Sequence, residues 1–233
     1  MGNDDQTIQP TENDKDGNGV VDSLDRLLGI REGGYNVVNR GAKHGYRSAT
    51  RNLTDMTVKE VRQAQSGQYD FRAAGRYQII PETLDMAIKA MGLTGNEKFT
   101  PELQDRIFRE FLVGKAGADV KLSDGTTKNY AGKLKDYLTG KSDDEDAALV
   151  AMAQEWASMP MPCDFYRKVD VIGKDGNPIK GANGKNLKEE KFFKAGQSYY
   201  TGSGNNKSHV SIDEVRQVLR EMRAMNMKYH TIK

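Results

Sequence analysis

The 233-residue chain has 36% hydrophobic residues and 24 glycines, which suits one domain whose elements are joined by long polar connections. Its 35 basic and 33 acidic residues leave a net charge of +2, so no global field points to nucleic acid. The single cysteine, Cys163, excludes an intrachain disulfide framework and any multi-cysteine metal site, and no apolar run approaches the roughly 18 residues of a membrane span.

Residues 1–13 are polar and read as a disordered tail. The opening Met1-Gly2-Asn3-Asp4-Asp5-Gln6 lacks the basic and apolar regions of a secretory signal. Residues 14–25, Asp14-Lys15-Asp16-Gly17-Asn18-Gly19-Val20-Val21-Asp22-Ser23-Leu24-Asp25, fill the template of an EF-hand calcium loop. The expected Ca2+ ligands are the side chains of Asp14, Asp16, Asn18, Asp22 and Asp25 and the carbonyl of Val20, with Gly19 at the sharp turn. Asp25 departs from the glutamate usual at the last position. The calcium loops of dockerin modules, which this stretch resembles, also carry aspartate there. No entering helix precedes Asp14, so the loop reads as half an EF-hand that fixes the start of the next helix.

That helix carries Leu24, Leu27 and Leu28 at the spacing of one apolar stripe, and Gly33-Gly34 supply its stop. Glu32 lies one turn beyond Leu28, along the edge of the stripe. A carboxyl group half in apolar surroundings has its pKa raised, as a general acid working near neutral pH requires. The alternative is a surface glutamate at a helix end.

Residues 35–55 have no helical period and suit short extended segments in a small hairpin sheet. Thr57-Val58-Lys59-Glu60 is a capping box opening a helix to about Gln65. Pro81 starts a helix to about Met91, and Thr100-Pro101 starts another with Leu103, Ile107, Phe108, Phe111 and Leu112 apolar. Residues 114–141 are polar, with a short helix expected within 130–138. Ser142-Asp143-Asp144-Glu145 is a second capping box, leading Ala147 to Trp156 into the helix expected to be most buried. Val169 to Ile172 and Asn177 to Ile179 flank Lys174-Asp175-Gly176, a hairpin signal, so about 165–190 reads as an inserted β-ribbon. Ser211-Ile212-Asp213-Glu214 opens the last helix, with Val215, Val218, Leu219 and Met222 on one face. No internal repeat is expected.

Ala74-Gly75-Arg76-Tyr77-Gln78-Ile79, downstream of Glu32-Gly33, resembles the lambda-type phage endolysins, lytic transglycosylases of the lysozyme superfamily. There a helix ending in a catalytic Glu-Gly precedes a β-region, and an Ala-Gly-Arg-Tyr-Gln segment opens a helix. Gly92-Leu93, the pattern of Phe99, Pro101, Gln104 and Asp105, and Trp156-Ala157-Ser158 before Met159-Pro160 extend the resemblance over roughly residues 24–165. The calcium loop and the chain after about 165 depart from it. The fold class expected is α+β and mainly α-helical: a lysozyme-like domain over 24–233, with a small β-hairpin region after the catalytic helix and the late ribbon inserted.

The resemblance implies an enzyme that cleaves peptidoglycan between N-acetylmuramic acid and N-acetylglucosamine, with Glu32 protonating the glycosidic oxygen. It implies that Gln78 lines the saccharide groove, where an amide suits hydroxyl and acetamido groups. Tyr77 fits a ring under a sugar or a core residue. Tyr35, Asn36 and Asn39 fit sugar hydrogen bonding or turn formation. Trp156 is expected in the core. Tyr199-Tyr200, beside a glycine- and asparagine-rich loop, fits a saccharide platform using Tyr200 or a loop anchored by one buried tyrosine. His44, His209 and His230 are scattered and suggest no zinc cluster.

A hydrolase needs a second carboxylate, and no Asp or Glu lies between Tyr35 and Thr54. That favours a lytic transglycosylase over a hydrolytic muramidase, while a non-catalytic peptidoglycan-binding module is the reading from another class. Without a signal peptide, such a protein is expected to be made in the bacterial cytoplasm and to reach the periplasmic wall through a phage or secretion system. A secretion or virion component, or an immunity protein, is then an implied partner; nucleic acid is not.

Overall fold

The computed structural model describes residues 34–39, 46–48, 51–66, 71–202 and 207–229. Glu32, the calcium loop and the helix expected between them lie outside the described residues.

Val37–Asn39 (β1) pairs antiparallel with Tyr46–Ser48 (β2) on one side and Ala73–Ala74 (β3) on the other, the hairpin sheet expected after the glycine pair. Val58–Ser66 (α1) follows a realised capping box: Glu60 Oε2 accepts from the Thr57 amide at 2.7 Å, and Thr57 Oγ1 accepts from the Glu60 amide at 3.2 Å. Pro81–Met91 (α2) has proline in its first turn and ends on Gly92 at φ 63°, a left-handed cap that glycine takes without steric cost. Pro101–Ile107 (α3), capped by Thr100, runs on through a π-helical turn at Phe108–Leu112 and a last turn at Val113–Lys115. The wider turn lets Phe108, Leu112 and Val113 all face the core.

The expectation of a mainly α-helical fold is wrong. The chain is α+β, with antiparallel sheets of three and four strands beside its helices. The larger sheet contains Asp119–Leu122 (β4), Thr127–Asn129 (β5), Phe165–Asp170 (β6) and Lys188–Phe193 (β7), in the order β5-β4-β6-β7. β4 and β5 fall inside the stretch read as a polar connection. Of their side chains only Val120 is buried, so no alternation is long enough to register as a strand. The turn signal was Asp124-Gly125, with Gly125 at φ 83°. The late ribbon is likewise no appendage at its base. Phe165 is fully buried, stacked on Phe193 at 5.3 Å and on Tyr199 at 5.4 Å, which joins β6 to the common core.

Lys133–Leu138 (α4) and Glu145–Glu155 (α5) complete the central helices. α5 is buried all round from Ala147 to Gln154, as expected, but its cap is Asp144, which accepts from the Ala147 amide at 3.0 Å, and not Ser142. The last helix, Ile212–Tyr229 (α6), buries Val215, Val218, Leu219 and Met222. Arg216 and Arg220 tie it to Glu145 at the start of α5, each at 2.7 Å. Among the described residues, no helix is long and apolar enough to cross a membrane.

Candidate functional site

The site is built on the turn Gly75 to Gln78, which joins β3 to α2. Ala74 and Ile79 exchange backbone hydrogen bonds at 3.0 and 3.1 Å, and the Gln78 amide closes onto the Gly75 carbonyl at 3.1 Å. Gly75 has φ 74°, and a Cβ there would stand 2.2 Å from Gln104 Oε1. Only glycine satisfies both conditions. Gln78 takes φ 48°, the one non-glycine residue at positive φ among those described, a conformation that costs an L-residue about 1–2 kcal/mol. Its Nε2 donates to the Gly75 carbonyl at 2.7 Å, while its buried Oε1 accepts no hydrogen bond among the described residues.

Backbone strain beside an acceptor with no partner among the described residues makes this turn a candidate site. It borders a cavity of about 280 Å³. The cavity is lined by Asn39 from β1, Tyr77 and Gln78 from the turn, Thr83 from α2, Lys115 at the end of the α3 rod, Glu155 and Trp156 at the end of α5, and Tyr200. Four residues expected to bind saccharide from separate parts of the sequence, Asn39, Tyr77, Gln78 and Tyr200, are thus brought to one cleft.

Their roles differ. Tyr77 is 3% exposed and stacks on Phe108 at 4.8 Å with an 8° tilt, so it floors the cleft as part of the core. Trp156, also buried, packs on Phe108 at 5.9 Å with a 51° tilt. Tyr200 donates its hydroxyl to the Gln154 carbonyl at 2.5 Å. Burial, then the charge of Glu155, pushes its pKa up to about 12, so it remains a neutral phenol. Glu155 and Lys115, which the sequence did not single out, form an ion pair at 2.7 Å on the cleft wall. Their only sequence signal is position, each at the last turn of a helix beside the core.

Tyr35 is not part of the cleft lining. It belongs to a polar cluster behind the turn, centred on Asp105 of α3. The hydroxyls of Tyr35 and Tyr77 each donate to Asp105, at 2.9 Å, and Arg76 donates to the Tyr35 hydroxyl and lies 4.8 Å over its ring. Burial, then the negative charge of Asp105, pushes Tyr35 up to about 12. Burial also raises the Asp105 carboxyl, against the opposing pull of the two hydroxyls and Arg76. Gln104 completes the cluster, donating to the carbonyls of Tyr35 at 3.1 Å and Phe99 at 2.9 Å and accepting from the Arg76 amide at 3.0 Å. Asn36 is also structural, its Oδ1 accepting from the Thr54 amide at 3.0 Å. The cluster clamps the chain that emerges immediately after Glu32-Gly33 onto α3 and the Gly75 turn. Gln104 and Asp105, present in the sequence as a pattern without a role, are the residues that do this.

Cys163 is half-buried and its thiol is raised by burial. Among the described residues, no group of three or more His, Cys, Asp or Glu side chains is placed to hold a metal ion. The expected calcium ligands lie outside those residues. No family model, characterised protein or solved structure matches the chain.

Proposed function

We propose that the protein cleaves the β-1,4 bond between N-acetylmuramic acid and N-acetylglucosamine in peptidoglycan, as a lytic transglycosylase with Glu32 as its acid. The observation that carries this reading is the convergence of Asn39, Gln78 and Tyr200 on one cleft. Gln78 itself borders the cleft, and an amide suits the hydroxyl and acetamido groups of a saccharide. Glu32 stands two residues before Gly34, where the Tyr35, Asp105 and Arg76 cluster clamps the chain.

In this mechanism Glu32 gives its proton to the glycosidic oxygen, and the N-acetylglucosamine side leaves with that proton. The C6 hydroxyl of N-acetylmuramic acid attacks the anomeric carbon and returns its own proton to the Glu32 carboxylate. The product is a 1,6-anhydro sugar, and no water is consumed. Digestion of purified peptidoglycan followed by mass spectrometry tests this, since each anhydro end is lighter by one water than a hydrolysed end.

Hydrolysis is the second reading, and one observation favours it. Glu155 presents a carboxylate to the cleft wall, and a hydrolase needs such a second acid. Reducing-end products that disappear in Glu155→Gln would establish it. The Asp14 to Asp25 loop serves, in either reading, to anchor the segment carrying Glu32 by binding Ca2+. Calcium at a hundredfold excess over its dissociation constant would stabilise the fold by about 2.7 kcal/mol, seen as a rise in melting temperature that Asp14→Ala removes.

A further inference from the structure

Between β6 and β7 the chain makes two successive turns that turn out to be one unit repeated. Residues 171–178, Val-Ile-Gly-Lys-Asp-Gly-Asn-Pro, are followed by 179–186, Ile-Lys-Gly-Ala-Asn-Gly-Lys-Asn, and Leu187-Lys188 begins the pattern once more. The geometry repeats with the sequence. Gly176 donates to the Gly173 carbonyl at 3.0 Å, and Gly184 to that of Gly181 at 2.9 Å. Asp175 Oδ1 accepts from the Asn177 amide, and Asn183 Oδ1 from the Lys185 amide, both at 3.0 Å. The repeat ends in a closed ring of backbone bonds. Val171 donates to the Leu187 carbonyl at 2.9 Å, Leu187 to that of Ile179 at 2.8 Å, and Ile179 to that of Val171 at 2.8 Å.

The side chains on this junction do not resemble an ordinary polar loop. Ile172, Ile179 and Leu187 are 52%, 42% and 45% exposed. Ile179 and Leu187 hold equivalent positions, each lying over the first glycine of the turn before it, Gly173 and Gly181 respectively. Covering a glycine does not require an aliphatic side chain left nearly half in water. From 171 to 188 there are four lysines and one aspartate. Lys188 is paired with Asp170 at 2.8 Å, but Lys174, Lys180 and Lys185 make no close ion pair with a carboxylate among the described residues. Lys180 donates to the neutral Asn186 side chain at 2.6 Å, and Asp170, whose carboxyl is lowered first by its bond to Lys188, also feels the Lys180 charge.

We propose that this ribbon tip docks on an anionic lipid bilayer surface, with the exposed aliphatic residues entering the interface and the three lysines meeting acidic headgroups. The charge is complementary to such a surface. Aliphatic side chains interleaved with lysines suit a boundary that is apolar below and anionic above. A soluble anionic polymer would use the lysines alone and leave the aliphatic residues without a role. The rigid ring supports docking because its turns are already ordered, so little conformational entropy is lost on contact.

The test is co-sedimentation of the full chain with vesicles of phosphatidylcholine mixed with phosphatidylglycerol, and with vesicles of phosphatidylcholine alone. Binding to the mixed vesicles only is expected. Replacing any one of Lys174, Lys180 and Lys185 by Gln should weaken it about fivefold, and the double variant Ile179→Ser/Leu187→Ser should abolish it. The lysine variants leave the ring intact, so they report even if the double variant unfolds; the melting curve of each variant distinguishes the two cases. Equal binding by a folded double variant would overturn the proposal in favour of an anionic polymer site. Failure of the wild type to sediment with the mixed vesicles would overturn it outright. Neither result bears on cleavage of soluble peptidoglycan fragments, which the ribbon variants should retain.

Discussion

The turn under the cleft and the turns at the ribbon tip are both tight and both use a glycine at positive φ, yet they treat the rules of local structure oppositely. At the tip, Gly176 and Gly184 occupy the positive-φ positions, and a Cβ on either meets nothing within 4 Å. The Asp175 and Asn183 side chains satisfy the turn amides. In the cleft, Gly75 is hemmed in by Gln104 and Phe99, a glutamine is forced to positive φ, and its carbonyl oxygen is buried without a partner among the described residues. The tip turns fold from local chemistry alone. The cleft turn is held by distant residues, chiefly Gln104 and Asp105 of α3, and such departures concentrate where a protein binds or reacts.

Substitution at matched positions probes this contrast. The largest effect is expected for Gly75→Ala, which must displace the Gln104 amide and hold an L-residue at φ 74°, lowering stability by about 4 kcal/mol in urea unfolding. Asp105→Asn keeps the shape of the clamp but turns one of the two acceptors of the Tyr35 and Tyr77 hydroxyls into an amide donor and is expected to cost about 2 kcal/mol. The cost should depend on pH. The Asp105 carboxyl is raised by burial, so its favourable contribution is complete below the usual carboxylate pKa and declines as pH rises through the elevated value. The deficit of the variant should therefore be greatest in acid and smaller at neutral pH. A deficit that grows with pH would mean that the clamp works through the ionised carboxylate.

Smaller effects separate the two regions further. Gly184→Ala meets open space and carries only the conformational cost, about 1 kcal/mol. Gln78→Gly relieves backbone strain and loses the bond to the Gly75 carbonyl, terms of about 1 kcal/mol each that nearly cancel. Its stability should stay close to wild type while peptidoglycan cleavage falls about tenfold or more. A Gln78→Gly variant as active as wild type would reduce the cleft turn to a structural oddity.

What the sequence made legible follows the same division. Capping boxes at Thr57 and Ser211, the prolines at 81 and 101, and the hairpin signal at Lys174 to Gly176 act within a few residues, and each is found in the structure. β4 and β5 are not legible because β4 finds its inner neighbour, β6, more than 40 residues further along the chain, β5 is an edge strand paired only with β4, and their own side chains look like those of a solvated loop. The repeat at 171–186 is hidden in the sequence because only its glycines are constant; aspartate and asparagine share one hydrogen-bonding role, and proline and asparagine share one position. In the cleft, Gln78 and Tyr77 were legible through a resemblance and Tyr200 through its setting beside a polar loop. Lys115, Glu155 and the Asp105 clamp were not, because a charged residue on a helix looks solvated until the fold puts another element against it.

The central claim is that this cleft serves cleavage by an acid at position 32. It is tested most directly by digesting purified peptidoglycan with the wild type and with Glu32→Gln and weighing the soluble fragments. 1,6-Anhydro-muramic acid ends are expected from the wild type and none from a folded Glu32→Gln variant. Equal release by both proteins, or no release by the calcium-loaded wild type, would contradict it.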